Sequence, residues 1–205
     1  MFISFEGIDG CGKTTQAGLF YEWLRNKYKK DVLLTREPGG WNGGAVLREL
    51  VIGGALKHPW SEAYLFMLDR AEHLANVIQP ALESGSFVVC ERYHDSTLAY
   101  QVWGRGLPLE VFDGLAQASS FSKPNVTVLF DLPVSKALAR VAERGRPDAF
   151  ESEGTFFMEN VRRGYIALAE REPERFIIID CTEGNVDDIF NKVIAALNGR
   201  GLFND

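Results

Sequence analysis

Five short apolar runs, each followed by segments of helical period, constrain the fold of this 205-residue chain more than any other feature. The runs fall at 2–5, 31–35, 87–91, 127–131 and 175–179, each rich in Val, Ile, Leu or Phe. Continuous apolar runs of this length suit strands buried on both faces of a parallel sheet. Helical segments are expected at 14–29, 44–51, 61–83, 95–103, 109–118, 134–144, 155–171 and 186–197. The first carries Ala17, Phe20, Tyr21 and Leu24 at steps of three and four. The alternation predicts an α/β fold: a three-layer sandwich whose five-stranded parallel sheet is flanked by helices, as one domain over 1–205. Ligands of such sheets bind beyond the carboxyl ends of the strands. Residues 7–15, 36–40, 91–93 and those after Asp131 are therefore expected at the site.

The first strand end carries Gly7-Ile8-Asp9-Gly10-Cys11-Gly12-Lys13-Thr14-Thr15. The spacing G-x-x-x-x-G-K-[ST], between a strand and a helix, describes a loop whose backbone N–H groups wrap a polyphosphate. Glycine is needed where a side chain would clash with the turn or the ligand. Lys13 reaches the β- and γ-phosphates, and the Thr14 hydroxyl ligates magnesium. The helix start adds unpaired N–H groups and partial positive charge.

The net charge of -6 argues against a general nucleic-acid binder. No apolar run is long enough for a membrane span, and no cleavable secretory leader is expected. Cys11, Cys90 and Cys181 are far apart, odd in number and without metal-ligand spacing, which fits a reducing cytoplasm rather than a disulfide framework. Cys11 reads first as a small side chain tolerated in the loop.

The other strand ends carry the acceptor signals. Thr35-Arg-Glu-Pro-Gly-Gly40 offers Arg36, permanently charged and suited to a phosphate or carboxylate. Pro38 and its glycines impose an unusual backbone, with a cis Glu37–Pro38 bond expected. Phe66 and Arg70 lie one helical turn apart, so an aromatic face and a guanidinium can meet one base. Taken singly, Phe66 suits a core and Arg70 a surface. Glu91 ends a strand near the magnesium position, and Arg92 can neutralise a transferring phosphoryl group. Ser96, Thr97 and Tyr100 offer hydroxyls from neighbouring faces of one helix. The charged, Gly- and Pro-containing segment 143–154 reads as a mobile exposed flap.

Together the phosphate loop, Arg-Glu-Pro-Gly-Gly, the Phe66/Arg70 pair and Arg92-Tyr93 followed by Ser96-Thr97-Leu-Ala-Tyr-Gln101 resemble bacterial thymidylate kinase, a nucleoside monophosphate kinase family of P-loop type. The resemblance runs from residue 2 to about 197. It implies phosphorylation of dTMP to dTDP with ATP and Mg²⁺, in a cytoplasmic homodimer. Lys13, Arg92 and Asp9 would be catalytic. Gly7, Ile8, Asp9, Gly10, Cys11, Gly12, Lys13, Thr14 and Thr15 would hold the ATP phosphates, with Arg140 near adenine. Asp9 would accept a hydrogen bond from the dTMP 3′-hydroxyl. Arg36 and Arg92 would grip the acceptor phosphate; Phe66 would stack thymine and Arg70 bond its carbonyl. Pro38, Arg48, Ser96, Thr97 and Tyr100 would line the dTMP pocket, Tyr100 excluding ribonucleotides. Thr14 and Glu91 would serve the metal. The flap, at about 145–154, would be the lid over ATP.

The chain departs from the family pattern in three places. Glu91 stands where the family carries Asp, one methylene longer and able to hold metal-bound water. Trp41-Asn42 replaces a Thr-containing sequence and is expected to reshape the dTMP entrance. The lid reads Asp148-Ala149-Phe150-Glu151 without its arginine, and the phosphate loop has none either. Arg146, or else Arg144, is expected to supply the transition-state charge. Arg146→Ala should then cut kcat at least about tenfold with dTMP affinity nearly unchanged; an unaffected kcat would remove Arg146 from that role. Two other functions fit the loop: a thymidine (deoxynucleoside) kinase, with less use for Arg36 and Arg92 together, and a nucleotide-binding module without turnover.

Overall fold

The computed structural model describes residues 1–28, 30–145, 150 and 153–203. Five strands, β1 (Phe2–Glu6), β2 (Val32–Arg36), β3 (Phe87–Glu91), β4 (Val126–Asp131) and β5 (Phe176–Asp180), form one parallel sheet in the order β2-β3-β1-β4-β5. All five fall within one residue of the sequence expectation. The central strands are almost wholly buried, as continuous apolar runs require. Edge strands β2 and β5 expose alternate residues. In register, Phe5 pairs with Glu91 and Arg36 with Glu91 across the neighbouring strand pairs, so three strand ends meet at one place.

Side chains alternate between the two faces of the sheet. Ile3, Phe5, Phe87 and Val89 join Phe20 and Leu24 of helix α1 (Lys13–Lys27) in the larger core. Phe2, Val88 and Cys90 join Leu74 and Ile78 on the other face. Ser4 and Glu6, two and four residues on from Phe2, bring polar groups to this second face, both fully buried. Helix α9 (Val186–Gly199) packs on α1 and opens with a capping box between Asn185 and Asp188.

Short helix α2 (Gly44–Ile52) precedes the two helical segments that depart from regular α geometry. The segment expected at 61–83 begins earlier, as α3 (Pro59–His73), with Pro59 at the first helical position and His58 as its cap. It then widens into a π-helical stretch, Leu74–Ile78, before α4 (Gln79–Glu83). The segment expected at 95–103 is only four residues of α5 (His94–Thr97) followed by a π-helical stretch, Leu98–Gly104. Such stretches are common at functional sites. The second one carries Tyr100 and Gln101. The remaining helices, α6 (Leu109–Ala118), α7 (Val134–Arg144) and α8 (Thr155–Arg171), match expectation.

Candidate active site

A cavity of about 800 Å³ opens at the carboxyl end of the sheet. It is lined by Asp9–Gly12 of the loop between β1 and α1, by Lys13–Gln16 of α1, by the β2 and β3 ends, and by α3, α5 and the second π-helical stretch. The loop has the backbone its glycines allow: Gly7, Gly10 and Gly12 all have positive φ. At Gly7 a Cβ would lie 2.7 Å from the Phe130 carbonyl oxygen; at Gly10 it would collide with the Ala137 carbonyl of α7. Ile8 and Cys11 turn their side chains into the core, leaving their backbone for a ligand. Burial pushes the Cys11 thiol up, which makes it inert rather than redox-active. Helix α1 begins without a side-chain cap or an acidic residue in its first turn, so its N-terminal dipole is open to an anion.

Asp9 stands between the two halves of the cavity. Its carboxylate accepts from the Arg92 guanidinium at 2.6 Å, the Tyr100 hydroxyl at 2.9 Å and the Lys13 ammonium at 3.3 Å. Burial alone would raise its pKa; Arg92 and Lys13, with the Tyr100 hydrogen bond, outweigh it and hold the group well below the usual carboxylate range. Arg92 adopts φ 62, in the left-handed region that arginine rarely visits. Its other nitrogen donates to the Ser96 hydroxyl at 3.2 Å, the Tyr165 hydroxyl at 3.4 Å and the Gly7 carbonyl at 3.4 Å. Thr14 Oγ1 donates to Glu91 Oε1 at 2.6 Å. These two hard oxygen donors fit a magnesium that keeps most of its ligands as phosphate and water. No cluster of three His, Cys, Asp or Glu exists among the described residues, so an all-protein metal cage is not offered there.

The half of the cavity near the β2 end and α3 is organised by a residue whose importance the sequence does not signal. Glu37, 3 % exposed, takes the Arg70 guanidinium at 2.6 Å and His73 Nδ1 at 3.1 Å. Arg70, 1 % exposed, also donates to Thr97 Oγ1 at 2.9 Å, and its Nε is buried without a partner. Arg70 is therefore neither a surface charge nor free to swing. His94, also given no role, lies with Nδ1 3.5 Å from Arg70; burial, then Arg70, push it to about 3, so it is neutral. Phe66 is half-buried on the cavity wall. Gln101 closes the Ser96–Gln101 segment, and its sequence carries no sign of a function. It is fully buried at the cavity, and neither its amide nitrogen nor its oxygen has a hydrogen-bond partner. The signal for such a group is an unsatisfied buried amide, which only the fold reveals.

Ser96 and Thr97 both line the cavity, as expected, but their hydroxyls are already engaged: Ser96 donates to buried Glu6 at 2.6 Å, and Thr97 accepts from Arg70. Trp41 does not line the main cavity; its Nε1 donates to Asp69 at 2.8 Å, beside the Gly39 N–H at 3.0 Å, and so anchors the turn after Pro38. The Glu37–Pro38 bond is cis, as expected. Phe150, within the segment read as exposed, is buried, 5.5 Å from the Tyr100 ring and 6.1 Å from Phe66. Arg146 lies outside the described residues, as does most of the expected lid. Arg36 is exposed at the cavity rim, Arg48 donates to the Pro38 carbonyl at 3.1 Å, and Arg140 reaches the Gly10 carbonyl at 3.4 Å.

The Thymidylate kinase family model matches residues 5–193. Thymidylate kinase of Desulfovibrio desulfuricans is 44% identical, with 98% of this chain and 100% of that protein aligned. That of Geotalea daltonii is 44% identical over 97% of each. The crystal structure of thymidylate kinase from Ehrlichia chaffeensis superposes with a TM-score of 0.80 at 32% identity, covering 97% of this chain and 98% of the other. With its glycine-rich loop at the end of β1 and its likeness to these enzymes over nearly all of its length, the chain belongs to the thymidylate kinase family.

Proposed function

We propose that the chain transfers the γ-phosphoryl group of ATP to the 5′-phosphate of dTMP, giving ADP and dTDP on the route to dTTP. The single observation that supports this most is the position of Asp9, which contacts the Lys13 ammonium of the donor side and the Arg92 and Tyr100 groups of the acceptor side. The attacking group is a phosphate oxygen, already largely ionised at neutral pH because its second pKa is about 6. No general base is needed. An acceptor oxygen bonds to the γ-phosphorus as the bond to the β–γ bridging oxygen of ATP breaks. The protein's task is alignment and charge neutralisation.

In this reading the loop N–H groups and Lys13 hold the ATP phosphates, and Arg140 lies toward adenine. Thr14 and Glu91 hold magnesium, which when bound neutralises charge on the phosphate oxygens. Arg92 and Arg36 hold the dTMP phosphate; Asp9 turns to the 3′-hydroxyl. Phe66 stacks thymine, the free Arg70 Nε donates to a ring carbonyl, and the Gln101 amide suits the imide edge, accepting from N3–H while donating to a carbonyl. Tyr100, held by Asp9, stands against a 2′-hydroxyl. An assay of ADP release and dTDP formation with dTMP and thymidine compared as acceptors tests this: turnover of thymidine but not dTMP would overturn it.

No helix among the described residues is long and apolar enough to cross a membrane. We read the enzyme as cytoplasmic, in keeping with three free, buried thiols, and as a homodimer. Exposed Val46 and Leu50 on α2 and Tyr64 and Leu68 on α3 support the second reading, since these helices pack together and share this apolar surface. A monomer mass by light scattering at micromolar concentration would contradict it.

A further inference from the structure

We propose that Glu6 is a positioning residue, whose buried carboxylate at the end of β1 sets the geometry of Arg92. The proposal rests on Arg92 holding the acceptor phosphate. Glu6 is fully buried, on the sheet face opposite α1, and does not itself line the cavity, which it meets only through Tyr93 and Ser96. Its two oxygens reach Arg92 by separate routes. Oε1 accepts the backbone N–H of Tyr93 at 2.7 Å, the peptide that immediately follows the left-handed Arg92. The Arg92 N–H itself donates to the Phe5 carbonyl at 2.9 Å, so β1 holds the strained residue from both sides. Oε2 accepts the Ser96 hydroxyl at 2.6 Å and the Tyr165 hydroxyl at 3.3 Å. Those two hydroxyls are 2.7 Å apart, and both receive the Arg92 guanidinium. One carboxylate thus fixes the backbone turn and the side-chain rest of the same arginine.

This net has a direction. With Glu6 ionised, Ser96 donates its proton inward and keeps its lone pairs for Arg92. With Glu6 protonated, the carboxyl must itself donate, and it competes with Arg92 for the Ser96 oxygen. Burial, then the neighbouring Asp95, raise Glu6 to about 7, against the opposing pull of Ser96, Arg92 and the Tyr93 N–H. The groups facing it are Arg92, Tyr93, Asp95 and Ser96 around the β3 end and α5, and Tyr165 of α8. Asp95 is paired with Arg175 at 2.6 Å.

Glu6→Gln mimics the protonated carboxyl, since its amide also donates. The readout is kcat/KM for dTMP in the native chain divided by that in Glu6→Gln. In this ratio the ionisations of dTMP and ATP cancel. It is expected to lie near one at about pH 5.5 and to reach at least about tenfold at about pH 8.5, with KM for ATP moving less than about twofold. A pH-independent ratio, or an equal loss toward ATP, overturns the proposal. Where far-UV circular dichroism shows that Glu6→Gln does not fold, Ser96→Ala takes its place. The ratio of native chain to Ser96→Ala should rise with pH in the same way, and a flat ratio overturns the proposal there. Arg92→Met is measured in parallel. If it leaves KM for dTMP and kcat unchanged, the reading of Arg92 fails; if it is damaging while the Glu6→Gln ratio stays flat, the role of Glu6 alone fails.

Discussion

Lys13→Ala is expected to lower dTDP formation by about a thousandfold or more, equivalent to about 4 kcal/mol of barrier. The ammonium is 4 % exposed at the first turn of α1 and has only oxygens about it: Asp9 Oδ1 at 3.3 Å and the Ile8 carbonyl at 3.4 Å. Both contacts are long for a charged donor, as suits a group parked beside its working position. Alanine removes a positive charge that the other described cations do not replace: Arg92 is committed to Asp9, Ser96 and Tyr165, and Arg140 reaches the Gly10 carbonyl instead. The loop itself is held by its glycines and by the core packing of Ile8 and Cys11, so the fold should survive. Coupled measurement of ADP with chromatographic detection of dTDP checks both. Activity within tenfold of the native chain would mean that the donor phosphates do not lie on Lys13. Complete absence of dTDP from the native chain would instead favour a non-catalytic nucleotide-binding module.

Arg70→Met should be the most destabilising of the site variants. Glu37 and Arg70 form an ion pair with almost no solvent on either side. Removing the guanidinium leaves a buried carboxylate with His73 as its one remaining side-chain partner among the described residues. Breaking such a pair from one side costs about 3–5 kcal/mol, or roughly 6–20 °C in Tm for a domain of this size. Adding Glu37→Gln removes the orphaned charge, so the double variant should regain a large part of the loss. Urea midpoints of the single and double variants decide this. A double variant no more stable than Arg70→Met would show that the loss is one of packing.

The sheet was legible because the strands are short, apolar and separated by helical period, and the phosphate loop because glycine spacing and the Lys-Thr pair imply one geometry. Arg36, Phe66, Arg70, Arg92 and Tyr100 were legible as a set at strand and helix ends, and all line one cavity. What was not legible has a common cause. Glu37 looked like turn filler, and Glu6 like the end of a strand; each matters because the fold buries it against a group distant in sequence. Gln101 stands out among the described glutamines in having both amide atoms buried without partners. The two π-helical stretches also escaped, since three- and four-residue periodicity cannot register one extra residue per turn. The anchoring of Trp41 to Asp69 on α3 was not legible either, because that contact is made by the packing of the turn onto the helix.

The close approach of Gly10 to α7 has a mechanical consequence. There is no room for even a methyl group between the loop and the Ala137 carbonyl, and Arg140 touches the Gly10 carbonyl one turn further on, so helix and cradle are closely packed against each other. A tilt of α7 cannot be absorbed at their contact and must be passed to the cradle as a shift in its amide groups. Position 10 is thus held to glycine by the main chain of α7, whichever side chain stands at position 137.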